Sequence, residues 1–176
     1  MRPRKNFRIP RRVIWLSWIS SRRIACPGEC ASDLGVKAAE KLFADGICRP
    51  DNIECLILCT QSPDYVLPAT SCVMQDRLGL QTSCCAFDIN QGCSGYIYGL
   101  SVAKGLIETG TVSNVLLITA DTYSKYLNVQ DRSVRTLFGD GASATLLESV
   151  EAERELIGPF EFGTDGAGKR ALIVPA

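Results

Sequence analysis

The chain has 176 residues, 46% hydrophobic and 22% charged, which suits one domain with a real core and excludes collagen, a disulfide miniprotein and a disordered linker. No apolar run approaches the ~18 to 20 residues of a spanning helix, so no membrane partner is expected. Net charge is formally zero, but the first 23 residues hold eight Arg or Lys and no acid; the remainder is acidic, which argues against a nucleic-acid partner there.

The opening segment, 1–23, reads as a unit apart from the domain expected over 24–176. Its basic residues flank a short apolar stretch, Val13 to Ile19, and Arg22-Arg23 follow without a small-x-small cleavage site, so a secretory signal is disfavoured. A basic surface arm with Trp15 and Trp18 is one reading. A poorly ordered or misassigned end is the other.

Behind it, helical and strand-like segments alternate. Ser32 is expected to cap a helix to about Ala44, with Leu34, Ala38 and Leu42 along one side and Gly46 past its end. Ile53 to Thr60 reads as a strand buried on both faces. Pro68 opens a second helix through Leu78, stopped by Gly79, and Cys84 to Ile89 returns as a strand. A third helix, Ser94 to Thr109, closes on Gly110, and Val115 to Ala120 is an apolar strand ending on Asp121. This alternation predicts an α/β fold, a mostly parallel sheet covered by helices, with chemistry at the carboxyl ends of its strands. Ala142 to Leu147, Leu156 to Phe162 and Ala171 to Val174 read as further strands on an antiparallel edge.

Nine cysteines are an odd number, and most lie in apolar runs, which favours reduced, buried thiols over a disulfide framework. The pair Cys26 and Cys30 has no matching second pair, and the chain has no His, so no metal site is expected. Cys84 and Cys85, adjacent on a strand, are expected on opposite faces.

Cys93 stands apart. The segment Phe87 to Tyr96 passes from strand through tight turn into helix, and Cys93 falls at the junction. A thiol at a helix N-terminus meets unpaired N–H groups and the positive end of the dipole, which favour thiolate. Gly92 and Gly95 let the backbone turn sharply and a carbonyl approach, and the Cys93 N–H becomes a candidate oxyanion donor. Read from the residues alone, Cys93 is either this nucleophile or one more buried core cysteine.

From Arg22 to about Leu147 the chain resembles the N-terminal half of the ketoacyl-acyl-carrier-protein synthase III family, condensing enzymes of the thiolase superfamily. Three blocks carry the likeness: Cys59-Thr60-Gln61-Ser62-Pro63-Asp64 leading to Pro68-Ala69-Thr70-Ser71-Cys72, Phe87 to Leu100 around Gly92-Cys93-Ser94-Gly95, and Leu137-Phe138-Gly139-Asp140-Gly141-Ala142. The resemblance implies a thiolase-like fold and an acyltransferase of fatty acid or related acyl-chain biosynthesis, acting as a cytoplasmic homodimer. Acyl-CoA and malonyl-acyl-carrier protein would be substrates, acyl carrier protein a partner, and no cofactor is implied.

By that resemblance Cys93 takes the acyl group. Malonyl-acyl-carrier protein then loses carbon dioxide, and its enolate attacks the thioester to give a 3-oxoacyl product. The family's enolate-stabilising His and Asn come from the second half of its fold. This sequence has no His, and none of Asn6, Asn52, Asn90, Asn114 or Asn128 lies in a matching motif, so acyl-enzyme formation is expected of this half and condensation only with the other half supplied.

Arg132 matches a family arginine at the mouth of the coenzyme tunnel, and is alternatively a solvated loop residue. Leu67 matches a position that reaches into the partner subunit's acyl pocket, and is alternatively a core residue. Gly139, Asp140 and Gly141 are expected to form a structural turn whose glycines pack near the site and whose carboxylate satisfies local N–H groups. Ser94 reads as a hydrogen-bonding residue at the helix start. The family's opening strand and its coenzyme-binding Trp and Arg are not recognisable before Arg22, which predicts an unpaired sheet edge. A non-catalytic dimerisation or binding module remains the alternative from another class. Hydroxymethylglutaryl-CoA synthase and polyketide synthase types are the alternatives within the superfamily.

Overall fold

A computed structural model describes residues 24–153, 155–171 and 173, together with the backbone of Asn6–Arg8 and Ile14–Leu16. The elements in chain order are β1 (Asn6–Arg8), β2 (Ile14–Leu16), α1 (Ala31–Ala44), β3 (Cys55–Cys59), α2 (Thr70–Arg77), β4 (Cys85–Ile89), α3 (Gly95–Glu108), β5 (Asn114–Asp121), α4 (Arg132–Arg135) and β6 (Gly141–Val150).

One mixed sheet runs in the order β1-β6-β5-β3-β4, with β2 also on β6. Its centre is parallel: Cys55 of β3 faces Cys85 of β4 and Val115 of β5, and the register continues to Cys59 opposite Ile89 and Thr119. β6 lies antiparallel on β5, as expected of the strand read over Ala142 to Leu147. The opening segment lies mostly outside the described residues. Its two short strands pair antiparallel with β6, Asn6 opposite Val150 and Ile14 opposite Ala144, so β6 does not stand as the unpaired sheet edge that was expected.

The period-2 rule divides the core into two layers. Leu56 and Leu58 of β3, Leu116 and Ile118 of β5 and Leu146 of β6 meet Ala38, Leu42 and Met74 from α1 and α2. Cys55, Ile57, Val115, Leu117 and Leu147 point the other way, onto Leu100, Ala103 and Ile107 of α3. The helices sit close: a Cβ on Gly35 of α1 would lie 2.7 Å from Met74 Cε, and one on Gly99 of α3 would lie 2.6 Å from Leu117 Cδ1. Cys84 joins the first layer, while Cys85 stands opposite Cys55 of the second, so the two neighbours do diverge.

Three local expectations are corrected. Ser32 does not cap α1. Cys30 is the N-cap, and the Cys30 N–H donates to Asp33 Oδ2 at 2.7 Å, while the Ser32 hydroxyl is drawn off to Asp64 and Arg77. Helix α2 begins at Thr70 rather than Pro68, where the Asp88 carboxylate accepts its first N–H groups. Leu156 to Phe162 is irregular, because Gly158 takes φ 127° and Pro159 offers no N–H to a ladder. That segment still covers α3: Ile157 is buried, and the Phe162 ring lies 4.8 Å from that of Tyr98. Ala171 and Ile173 are not in strand, and the rest of the predicted Ala171–Val174 strand falls outside the described residues.

Candidate active site

The carboxyl ends of β3, β4 and β5 bring three separate chain segments together, as the parallel register requires. After β3 come Thr60, Gln61 and Ser62. After β4 come Asn90 to Ser94, and after β5 come Thr122 and Tyr123. Cys93 is exposed in a turn closed by the Gly95 N–H on the Gly92 carbonyl at 2.8 Å, with Ser94 as N-cap of α3. Exposure excludes the core-cysteine reading. The Ser94 side chain makes no capping bond. Its carbonyl instead accepts from the Ile97 and Tyr98 N–H groups. Among the described residues no protein acceptor takes the Cys93 N–H, so it is free for a substrate oxygen.

Gly92 and Gly95 frame the sharp turn, and the structure adds a second reason for their small size. Neither has a positive φ. A Cβ on Gly92 would fall 2.7 Å from Gln61 Oε1, and one on Gly95 would fall 2.1 Å from Cys59 Sγ. They admit neighbouring protein atoms, and so let the Cys93 turn nest against the end of β3.

Asp121 ties the β3 and β5 ends together. Its Oδ1 accepts from the Gln61 N–H (2.8 Å), the Ser62 hydroxyl (2.9 Å) and the Thr60 hydroxyl (3.1 Å), while Ser62 Oγ accepts the Thr122 N–H at 2.7 Å. Burial pushes the Asp121 carboxyl up, against those donors, which pull it down. Tyr123 donates to Gln61 Oε1. Its phenol is pushed up by burial and then by the Asp121 carboxylate, so it stays a protonated donor. Burial, and then Asp121, likewise raise the Cys59 thiol, leaving it inert beside the site.

Asp140 is buried and structural, but its partners are not local. It accepts the Ala25 N–H at 2.7 Å, the Ser124 N–H at 2.8 Å and the Ser124 hydroxyl, fixing the turn that carries Tyr123. Residues 138–140 are an irregular link rather than a tight turn and Gly139 is exposed, while the Gly141 backbone stands opposite Asp121 in the β5–β6 register with open space where a Cβ would lie. Phe138 stacks on Tyr123, ring centroids 5.5 Å apart.

Arg132 opens α4, exposed, with Asp131 as N-cap accepting from the Ser133 N–H at 3.0 Å. No hydrogen bond or ion pair among the described residues joins it to Cys93. Leu67 is 85% exposed beside Val66 and Tyr65, which excludes the core reading for it. Sequence reasoning missed Gln61, Asp121 and Tyr123 as site residues, and Asp88 as the support of α2. The one available signal for Gln61, Asp121 and Tyr123 was their place at or just past the ends of apolar strands.

Residues 87–166 match the family model for 3-oxoacyl-[acyl-carrier-protein] synthase III. A beta-ketoacyl-[acyl-carrier-protein] synthase III of Caldanaerobacter subterraneus is 42% identical over 90% of this chain and 47% of its own length. One from Chlamydia caviae is 43% identical over 93% of this chain and 49% of its own. A crystal structure of a 3-oxoacyl-(acyl-carrier-protein) synthase III superposes with TM-score 0.85 at 61% identity, covering 86% of this chain and 45% of that one. The Burkholderia xenovorans 3-oxoacyl-(acyl-carrier protein) synthase gives 0.78 at 43%, over 88% and 44%. The chain spans about half the length of these relatives. In its thiolase-like sheet, and with Cys93 in the turn before α3, the chain is similar to about half the length of the 3-oxoacyl-[acyl-carrier-protein] synthase III enzymes it matches.

Proposed function

We propose that these residues form the acyl-accepting part of a 3-oxoacyl-acyl-carrier-protein synthase of fatty acid biosynthesis, with Cys93 as nucleophile. The observation that carries the reading is the exposed Cys93 in a turn whose own N–H is unclaimed, at the carboxyl end of a parallel sheet. In the step proposed, Cys93 sulfur attacks the thioester carbonyl of an acyl-CoA and the carbonyl electron pair moves onto oxygen, where the Cys93 N–H receives it. The intermediate collapses, the bond to the coenzyme sulfur breaks, and the thiol proton ends on the released coenzyme A.

Condensation with malonyl-acyl-carrier protein requires enolate-stabilising groups, and the histidine the family uses is not among these 176 residues. That step is assigned to the enzyme with its other half supplied. The exposed Tyr65, Val66 and Leu67 suit the pocket of a second subunit in a homodimer. Exposed Arg132 suits a coenzyme phosphate. No cofactor is needed for thioester exchange at a cysteine, and among the described residues no helix is long and apolar enough to cross a membrane. A cytoplasmic location goes with acyl-CoA as donor.

The test is incubation with labelled acetyl-CoA followed by denaturation and peptide mass spectrometry. Acetyl on Cys93, lost in Cys93→Ala, supports the reading. A folded, dimeric and unlabelled protein points to the binding-module alternative.

A further inference from the structure

We propose that Gln61 and Tyr123 are positioning residues that brace the Cys93 turn, holding the Cys93 N–H where a developing oxyanion needs it. The assignment rests on the reading of Cys93 as an acyl acceptor and deepens it.

Gln61 is fixed at its backbone, because its N–H donates to Asp121 at 2.8 Å. Its carboxamide then reaches the turn from the β3 side. A Cβ on Gly92 would lie 2.7 Å from Oε1 and 3.3 Å from Cδ, so the carboxamide is in contact with the residue that precedes the nucleophile. Tyr123 donates its hydroxyl to that Oε1, which sets the orientation of the amide. Tyr123 is itself held, by stacking on Phe138 and by the two Ser124 bonds to Asp140. A line of contacts therefore runs from the buried Asp140 through Tyr123 and Gln61 to Gly92.

The brace has a physical purpose. Glycine at 92 is required for the close approach, yet glycine is the residue least able to hold its own peptide plane. An oxyanion donor works only within a few tenths of an ångström of its place, and losing one costs roughly 100-fold or more in rate. The Gly92–Cys93 peptide carries the free Cys93 N–H, and the Gln61 side chain restricts its rotation.

Two chemical probes separate positioning from general damage. A nitrophenyl acetate ester acylates Cys93 through a tetrahedral oxyanion: the new bond forms between sulfur and the carbonyl carbon, nitrophenolate leaves with the electron pair, and the thiol proton goes to water. Iodoacetamide alkylates the same sulfur by displacing iodide and makes no oxyanion. Both are read on the Cys93 peptide of the full chain by mass spectrometry.

Tyr123→Phe and Gln61→Met are each expected to slow ester acylation about 10-fold, part of the cost of losing a donor, with alkylation changed less than about 2-fold. The double variant is expected to be no slower than either single one, since both break one brace. Equal slowing with both probes, no slowing with either, multiplying effects in the double variant, or a Cys93 that neither probe modifies overturns the proposal. Acetyl-CoA is the third arm. A wild-type chain that refuses acetyl-CoA while the ester-to-alkylation ratio falls as described overturns the reading of function and leaves the brace standing.

Discussion

Cys59 Sγ fills the space a side chain at Gly95 would need: a Cβ built on Gly95 would come within 2.1 Å of that sulfur. The buried end of β3 and the first residue of α3 are thus packed sulfur against backbone, next to Cys93. Gly95→Ala is expected to push α3 away from β3 and to cost about 1–3 kcal/mol, the range for overpacking a tight core. Cys59→Ala should recover part of that loss when combined with it, because without the sulfur the nearest remaining Cys59 atom is Cβ at 3.7 Å, while the closer Gln91 Cβ at 3.1 Å stays. Urea unfolding of the two single variants and the double one measures the coupling, and additive losses would contradict the contact.

Asp88 does for α2 what no residue of α2 does for itself. The N-cap Ala69 has no side-chain acceptor, and the Thr70 and Ser71 N–H groups donate instead to Asp88 Oδ2 at 2.7 Å and Oδ1 at 2.8 Å. Asp88→Ala should cost about 1–2 kcal/mol, the value of a good cap with its charge at the helix start. Asp88→Asn keeps one acceptor oxygen and should lose about half as much. Amide exchange at Thr70 and Ser71 is expected to quicken in both variants, and unchanged protection there would rule the cap out.

The strands and helices were legible because their burial is periodic. Leu56 and Leu58 alternate with Cys55 and Ile57 in opposite layers, which reads as a continuous apolar run, and Gly46, Gly79 and Gly110 each stop a helix with φ of 68°, 64° and 74°. Cys93 was legible because strand, turn and helix follow within one stretch of chain. Gln61, Asp121 and Tyr123 were not, because only the strand order β4-β3-β5 brings their segments together. Ser32 misled for a related reason: a good cap residue was spent on distant partners, Asp64 Oδ2 at 2.5 Å and Arg77 Nη1 at 2.5 Å. Phe160 and Phe162 look like strand residues, but Gly158-Pro159 breaks the ladder before them.

Asp140 joins parts of the chain that sequence cannot place side by side. Its carboxylate, 8% exposed, accepts from Ala25 and from both donors of Ser124. Asp140→Ala leaves two backbone N–H groups without their acceptor and is expected to cost about 2–4 kcal/mol. Its signature is local as well as global: amides of Ala25 and Ser124 should lose protection together, although 99 residues separate them in sequence. Loss at one site without the other would mean that the carboxylate does not clamp both.

Asp121 carries a pH dependence whose sign follows from its burial. The folded protein holds the Asp121 proton more tightly than the unfolded chain does, because desolvation outweighs the donors on Oδ1. Below the ordinary value of 3.8 both states are protonated and the group contributes nothing. As pH rises through 3.8 and on through the raised folded value, the unfolded state ionises first and this one group subtracts stability. Asparagine at 121 retains an oxygen for the Thr60, Gln61 and Ser62 donors and has no charge to bury. The stability of Asp121→Asn relative to wild type should therefore grow from about pH 4 upward and level off above the folded value, a trend that urea unfolding at a series of pH values will follow. A difference that is flat, or that shrinks as pH rises, would mean that the three donors stabilise the carboxylate by more than its burial costs.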